Sequence, residues 1–328
     1  MQLIILISLV GWFGVQNSIL ANGILHALNF KINFFVAAFF SGFFLTFLVA
    51  SGFIALSYTA KISVPLFFLV VGYILLTMSL KDSSIEHNSE VINISLSQGA
   101  TIVAGGFIAA ALTTPDISRY CKSNRDVFWM ITLSIIIGEF FINAIAIFIA
   151  QSLNTADVVT IMTHSAGWIG LISVILSVIK VNDVNLYSSS LGLANSLEVL
   201  SGRQFSYYKL TFILGSIGTL LSMLGILNHF VDFLVMLGVL FPPVTGIMLV
   251  DYYILRTHRK LLDFTRSHGT LPDAASTPKI GWNAILAWIV GSFVGFTIHL
   301  GIPSLNSLFA ASAFYWITCT IGNRFFIK

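Results

Sequence analysis

The chain has 328 residues, 57% of them hydrophobic and only 9% charged, with a mean hydropathy of +0.93 and a formal net charge of +3. A soluble protein of this length needs roughly a quarter of its residues charged to cover its surface, so a soluble globular enzyme is excluded. About 20 apolar residues cross roughly 30 Å of hydrocarbon, so the length holds about ten helical spans with short loops and no aqueous domain. The apolar stretches are apolar on every face, which excludes a β-barrel. Cys121 and Cys319 are too few and too distant in sequence for a metal cluster or a disulfide framework.

Hydropathy predicts segments at roughly 2–27, 32–56, 62–80, 95–114, 127–151, 166–190, 208–227, 229–253, 281–300 and 303–326. The second and third are parted only by a turn near Ser57 to Lys61, and the seventh and eighth only by Asn228 and His229. The first has no basic leader and no small-residue cleavage site, so it reads as a span and not as a signal peptide. Two connections are long and polar: Lys81 to Glu90, and Arg256 to Lys279, which reads as a flexible tether around Pro272 and Pro278. Asn93-Ile94-Ser95 is a glycosylation sequon by pattern, too common by chance to carry weight. With the N-terminus inside, thirteen of the 16 basic residues fall on the inner side, Lys31 and Lys81 outside, and Lys180 within a span. That bias predicts both termini in the cytoplasm.

Polar groups inside lipid are expensive and are functional candidates by default. In the first segment, Trp12 and Gln16 lie four apart on one helix face, an aromatic plate beside an amide, as a flat hydrogen-bonding ring requires. An interfacial tryptophan is the commoner meaning, but this one lies about ten residues inside the span. The fourth segment carries Gly99, Gly105 and Gly106, then Thr113-Thr114-Pro115. Such breakers expose backbone to a ligand, and a small-residue packing face including Ala109 and Ala110 explains them equally well. Glu139, alone among charges in the fifth segment, must pair across helices, become neutral or line water, and Asn143 shares its face one turn on. The sixth segment crowds Lys180, Asn182, Asp183 and Asn185 into six residues, too dense for a lipid-facing helix. Lys180 lies about 14 residues, roughly 21 Å, from the outer end of its span, unless it snorkels to the inner interface. Asp232, Asp251 and His299 lie near span ends and read as interfacial.

Four motifs, GWFGVQ at 11–16, TTPDISRY at 113–120, NDVNLYSSSLGLAN at 182–195 and FPPVTGIMLVDYYILR at 241–256, together with the IPSLNSLFAASAFY stretch, resemble the nucleobase:cation symporter-1 transporters. The likeness is to the bacterial cytosine permease branch, with the hydantoin transporters as cousins. It implies an all-α polytopic membrane protein with a LeuT-like inverted-repeat transporter fold, in which about ten transmembrane helices correspond to family helices three to twelve. On that reading the first two family helices are absent. Residues 1–80 are the rest of the first repeat, 95–253 the second, 254–280 a cytoplasmic loop and 281–328 two C-terminal helices. Substrate would lie at the midplane beside the discontinuous first and sixth family helices.

By the same resemblance, Trp12 stacks on the substrate ring, Gln16 binds its edge, Gly106 and Phe107 supply a backbone contact and the second aromatic plate, and Asn182 hydrogen-bonds the base. Ser177 takes the place of a second asparagine. Ala109 replaces a serine, so the aromatic sandwich is kept while hydrogen-bonding groups are lost, which leaves the substrate class intact but not cytosine itself. The hydroxyl pair that helps ligate sodium is replaced by Lys180-Val181, and an ammonium offers a hard cation no ligand. Lys180 is therefore expected to put its own charge where sodium binds, with Glu139 a weaker partner in proton coupling.

The expected function is uptake of a nucleobase or hydantoin-like heterocycle across the cytoplasmic (inner) membrane, coupled to H+ or Na+, by a monomer that needs no cofactor and binds no nucleic acid. The alternative is a non-transporting remnant or sensor on the same scaffold. A membrane enzyme is disfavoured because no HExxH, GxSxG or P-loop pattern occurs, and a channel because no filter-like repeat is visible.

Overall fold

The computed structural model describes residues 2–29, 31–51, 54–79, 94–118, 121–268, 270, 280–298 and 300–326. Among these the regular structure is helical: α1 Gln2–Ala27, α2 Phe34–Ala50, α3 Ile54–Ser79, α4 Leu96–Ser118, α5 Asn124–Leu133, α6 Ile142–Leu153, α7 Val158–Ser201, α8 Tyr207–Met223, α9 Phe230–Leu240, α10 Pro242–Leu249, α11 Arg259–His268, α12 Trp282–Thr297 and α13 Pro303–Phe326. A π-helical stretch, Ser134–Phe141, joins α5 to α6, and another, Val250–Leu255, continues α10. Among the described residues five stretches are long and apolar enough to cross a membrane, Ile4–Ala27, Asn124–Leu153 and Ile226–Leu255 among them; shorter apolar helices accompany them.

The apolar segments recur as helices, with shifted boundaries. The turn expected at Ser57 to Lys61 falls earlier: α2 is capped by Ser51 and α3 begins at Ile54, so Lys61 is helical. The break expected at Asn228 and His229 falls instead at Leu224 and Gly225, whose φ of 83° lies in the left-handed region that glycine accepts freely. The sixth segment is the 44-residue α7, kinked at Gly167 (φ 56°, ψ −136°), where the chain folds back so that the Met162 carbonyl abuts Gly170. The first part of the expected tether is the amphipathic α11, with Arg259 paired to Asp263 at 4.0 Å and its guanidinium over the Tyr252 ring. The Lys81 to Glu90 loop, Asn93, Pro272, Pro278 and His299 lie outside the described residues.

α1 is apolar all round because it is packed on two sides. One face joins Leu6, Phe13 and Leu20 to Leu45 of α2, Ile74 of α3, Leu171 and Leu186 of α7 and Leu214 of α8. The other joins Ile5 and Val15 to Ala109 and Leu112 of α4 and Phe233, Leu234 and Leu237 of α9. Polar groups between α1, α2 and α8 are satisfied: the Asn17 amide donates to the Ala38 carbonyl (2.9 Å), Ser41 donates to Asn17 Oδ1 (2.7 Å), and Ser18 and Ser222 share a hydrogen bond (2.9 Å). In lipid such bonds hold helices together at about 0.6 kcal/mol each. The Asn124–Leu153 stretch keeps most of its apolar side chains exposed, Phe128, Trp129, Ile135 and Phe140 among them.

Candidate functional site

α7 is packed on several sides, and among its buried apolar residues, such as Leu171, Val174, Val178 and Leu186, it also buries polar ones. Asn182 is 0% and Asp183 2% exposed, and Asn185 is also buried. Among the described residues, neither side-chain polar atom of Asn182, neither carboxylate oxygen of Asp183, nor Nδ2 of Asn185 has a hydrogen-bond partner, and the Ser173 hydroxyl is likewise unmatched. A buried polar group without a partner costs about 1–3 kcal/mol, more if charged. With Ser190, five such residues lie on α7, in contrast to the satisfied Asn17–Ser41 network, and they mark positions kept for something other than packing. Ser177 and Lys180 are half-buried on the same helix, and Lys180 lies three residues before Asp183 within electrostatic reach.

α1 is the helix packed most extensively against α7. It carries Trp12, whose ring meets Phe230 and Phe233 edge-on at centroid distances of 5.6 and 5.7 Å, and Gln16, half-buried one turn further on. The edge contacts fix the indole plane while leaving the residue partly accessible.

α4 is two-faced. Thr101, Gly105, Ala109 and Leu112 meet α9: a Cβ at Gly105 would collide with the Leu234 carbonyl, and one at Gly238 with the backbone of Thr101. Gly105 is therefore a packing residue, while a Cβ on Gly106 would enter open space. The helix runs unbroken through both glycines and through Pro115, so the discontinuity expected here is not observed. Interior glycines cost only about 1 kcal/mol each, which the α9 contact offsets.

The other face of α4 presents Val103, Phe107, Ala110 and Thr114 to a cavity of about 1000 Å³. Its far wall is the α5–α6 stretch with Glu139, held in the π-helical turn, and Asn143, whose amide donates to Glu139 Oε2 at 3.3 Å. The expected shared face of these two residues is present. Phe107 and Glu139 thus share one cavity, whose lining includes none of Trp12, Gln16, Ser177, Lys180 or Asn182. Phe107 and Glu139 are brought together between α4 and α5–α6, Trp12 packs on the α9 side of α1, and Ser177, Lys180 and Asn182 lie along α7.

Sequence reasoning named Asp183 only as part of a crowded segment and gave it no role. The density of polar residues from 180 to 185 was the signal, but burial of the carboxylate is set by the helices around it. Asp232 is exposed beside His229 at 3.5 Å, whereas Asp251 is partly buried and accepts a hydrogen bond from Tyr315 (3.1 Å) at a half-open cavity.

Apolar helices long enough to cross a bilayer define a multi-pass membrane protein, and the fold is similar to the inward facing conformation of Mhp1. That match has a TM-score of 0.73 at 20% identity, covering 98% of this chain and 74% of that one. The chain belongs to the family described as permeases for cytosine/purines, uracil, thiamine and allantoin, which it matches over residues 2–322. It is 28% identical over 319 residues to the cytosine permease of Escherichia coli (strain K12), covering 96% of this chain and 71% of that protein. A purine-uracil permease of Arabidopsis thaliana is 26% identical over 156 residues, 44% of this chain and 26% of that protein.

Proposed function

We propose that the protein takes up a nucleobase or a related planar heterocycle across the cytoplasmic membrane by alternating access, with both termini in the cytoplasm. The observation that carries this reading is the Asn182 amide, fully buried with donor and acceptor both unmatched. An amide in that condition offers a base edge the complementary pair of hydrogen bonds it would otherwise seek from water. Trp12 supplies a ring for stacking and Gln16 a second amide on the helix packed against α7. Phe107, beside the open space at Gly106, closes on the base from α4 when the bundle rocks. Ser177 extends the polar seam.

The coupling step is read from Lys180 and Asp183. Lys180 stands where the resemblance puts sodium-ligating hydroxyls, and Asp183 is a buried carboxyl within its electrostatic reach. An ammonium already at that place makes a bound sodium ion redundant, so transport is sodium-independent, with Glu139 in the α4 to α6 cavity as a secondary proton-handling group. The test is uptake of radiolabelled cytosine, uracil, adenine, allantoin and hydantoin, with sodium replaced by N-methylglucamine at constant pH and ionic strength. Uptake of at least one of these that survives the replacement is expected; uptake that stops without sodium overturns the role of Lys180.

A further inference from the structure

The motif at 241–256 ends in a feature that lies outside the candidate sites described above. Its last turn, Val250–Leu255, is wound as a π-helix and stops at Arg256, whose φ is 55° and whose backbone N–H donates to the Asp251 carbonyl at 2.8 Å. Asp251 lines a half-open cavity of about 300 Å³ between the α10 end, α12 and α13, with Ile4 of α1 also in its lining. The other walls include Ile247, Met248, Trp288 and Tyr315. The Tyr315 hydroxyl donates to Asp251 Oδ1 at 3.1 Å, and the Trp288 indole N–H is committed to the Leu240 carbonyl at 2.7 Å. Among the described residues no lysine, arginine or histidine forms an ion pair with Asp251.

A carboxylate, an indole and a phenol around an apolar hollow make a recognition set for one kind of ligand. The carboxylate attracts a positive charge, the two rings add cation–π attraction, and the aliphatic walls take an alkyl body. An anion would be repelled, and a neutral molecule would gain only the wall contacts. We propose that this cavity is a second ligand site, separate from the α7 seam, which binds an ammonium ion carried on a short apolar body. Its volume stands at the small end of ligand pockets, enough for an ammonium and a chain of about six carbons. A free alkylamine and the ethanolamine headgroup of a membrane lipid both present that chemistry.

The probe is hexylammonium, titrated calorimetrically into the purified protein in nanodiscs of a neutral glycolipid, with hexanol as the uncharged match. Saturable hexylammonium binding is expected, at least tenfold tighter than hexanol and at least tenfold weaker in Asp251→Asn. Hexanol binding equal to hexylammonium, or no saturable binding to the folded protein, overturns the proposal, and the hexanol comparison needs no variant. Repeating the titration in nanodiscs containing phosphatidylethanolamine separates the sources. Competition that weakens hexylammonium at least threefold assigns the site to the lipid headgroup, and an unchanged affinity assigns it to a free amine.

Discussion

The two adjacent glycines of α4 offer a sharp separation of packing from function. A Cβ at Gly105 would overlap the Leu234 carbonyl oxygen and lie 2.8 Å from the Gly238 backbone nitrogen, whereas a Cβ at Gly106 meets nothing within 4 Å. Ordinary carbon contacts begin near 3.4 Å, and the obstacle is backbone on α9, which cannot rotate away, so α4 and α9 must separate by more than half an ångström. Overpacking of this kind costs about 1–3 kcal/mol, roughly one to two orders of magnitude in the folded fraction. Gly106→Ala meets no obstacle and gains up to about 1 kcal/mol of helix propensity. Unfolding of both variants in mixed micelles should therefore rank Gly106→Ala at or above the parent and Gly105→Ala well below it. Equal stabilities, or the reverse order, would refute the placement of α4 against α9.

Replacing Asn182 by leucine removes an unmatched buried amide in favour of an apolar side chain of similar size. The melting temperature should hold or rise while nucleobase uptake is lost, and a fall in stability with uptake intact would count against the seam as a ligand surface. Asn17→Ala, by contrast, removes satisfied bonds to Ala38 and Ser41 and should cost about 1 kcal/mol in the same unfolding assay. Lys180→Thr restores a hydroxyl in place of the ammonium and should make uptake sodium-stimulated; insensitivity to sodium in that variant would show that the lysine does not substitute for the ion.

Much of the helical layout was legible in the sequence because hydrophobic runs with sharp polar ends dominate it. α1 and α13 begin and end where the runs do, at Gln2–Ala27 and Pro303–Phe326. What hydropathy could not resolve is decided by single backbone conformations and by neighbours. The kink at Gly167 lets one helix continue past an expected start, and the left-handed Gly225 places a turn three residues before the polar pair that seemed to mark it. α11 hides in a polar loop because its helix rests on alternating charge and a few aliphatic side chains. The site shows the same division. Lys180 to Asn185 announce themselves by polarity, and Asn143 by its spacing from Glu139. The difference between Gly105 and Gly106 depends on the α9 backbone, and the burial of Asp183 on the helices packed around α7.

The central claim is that the polar seam on α7 holds a nucleobase. Its most direct test is equilibrium binding of the five radiolabelled heterocycles to the purified protein and to Asn182→Ala side by side. The account predicts saturable binding of at least one of them, weakened tenfold or more in the variant while its melting temperature is unchanged. Binding of equal affinity in both proteins, or none in a folded parent, would contradict it.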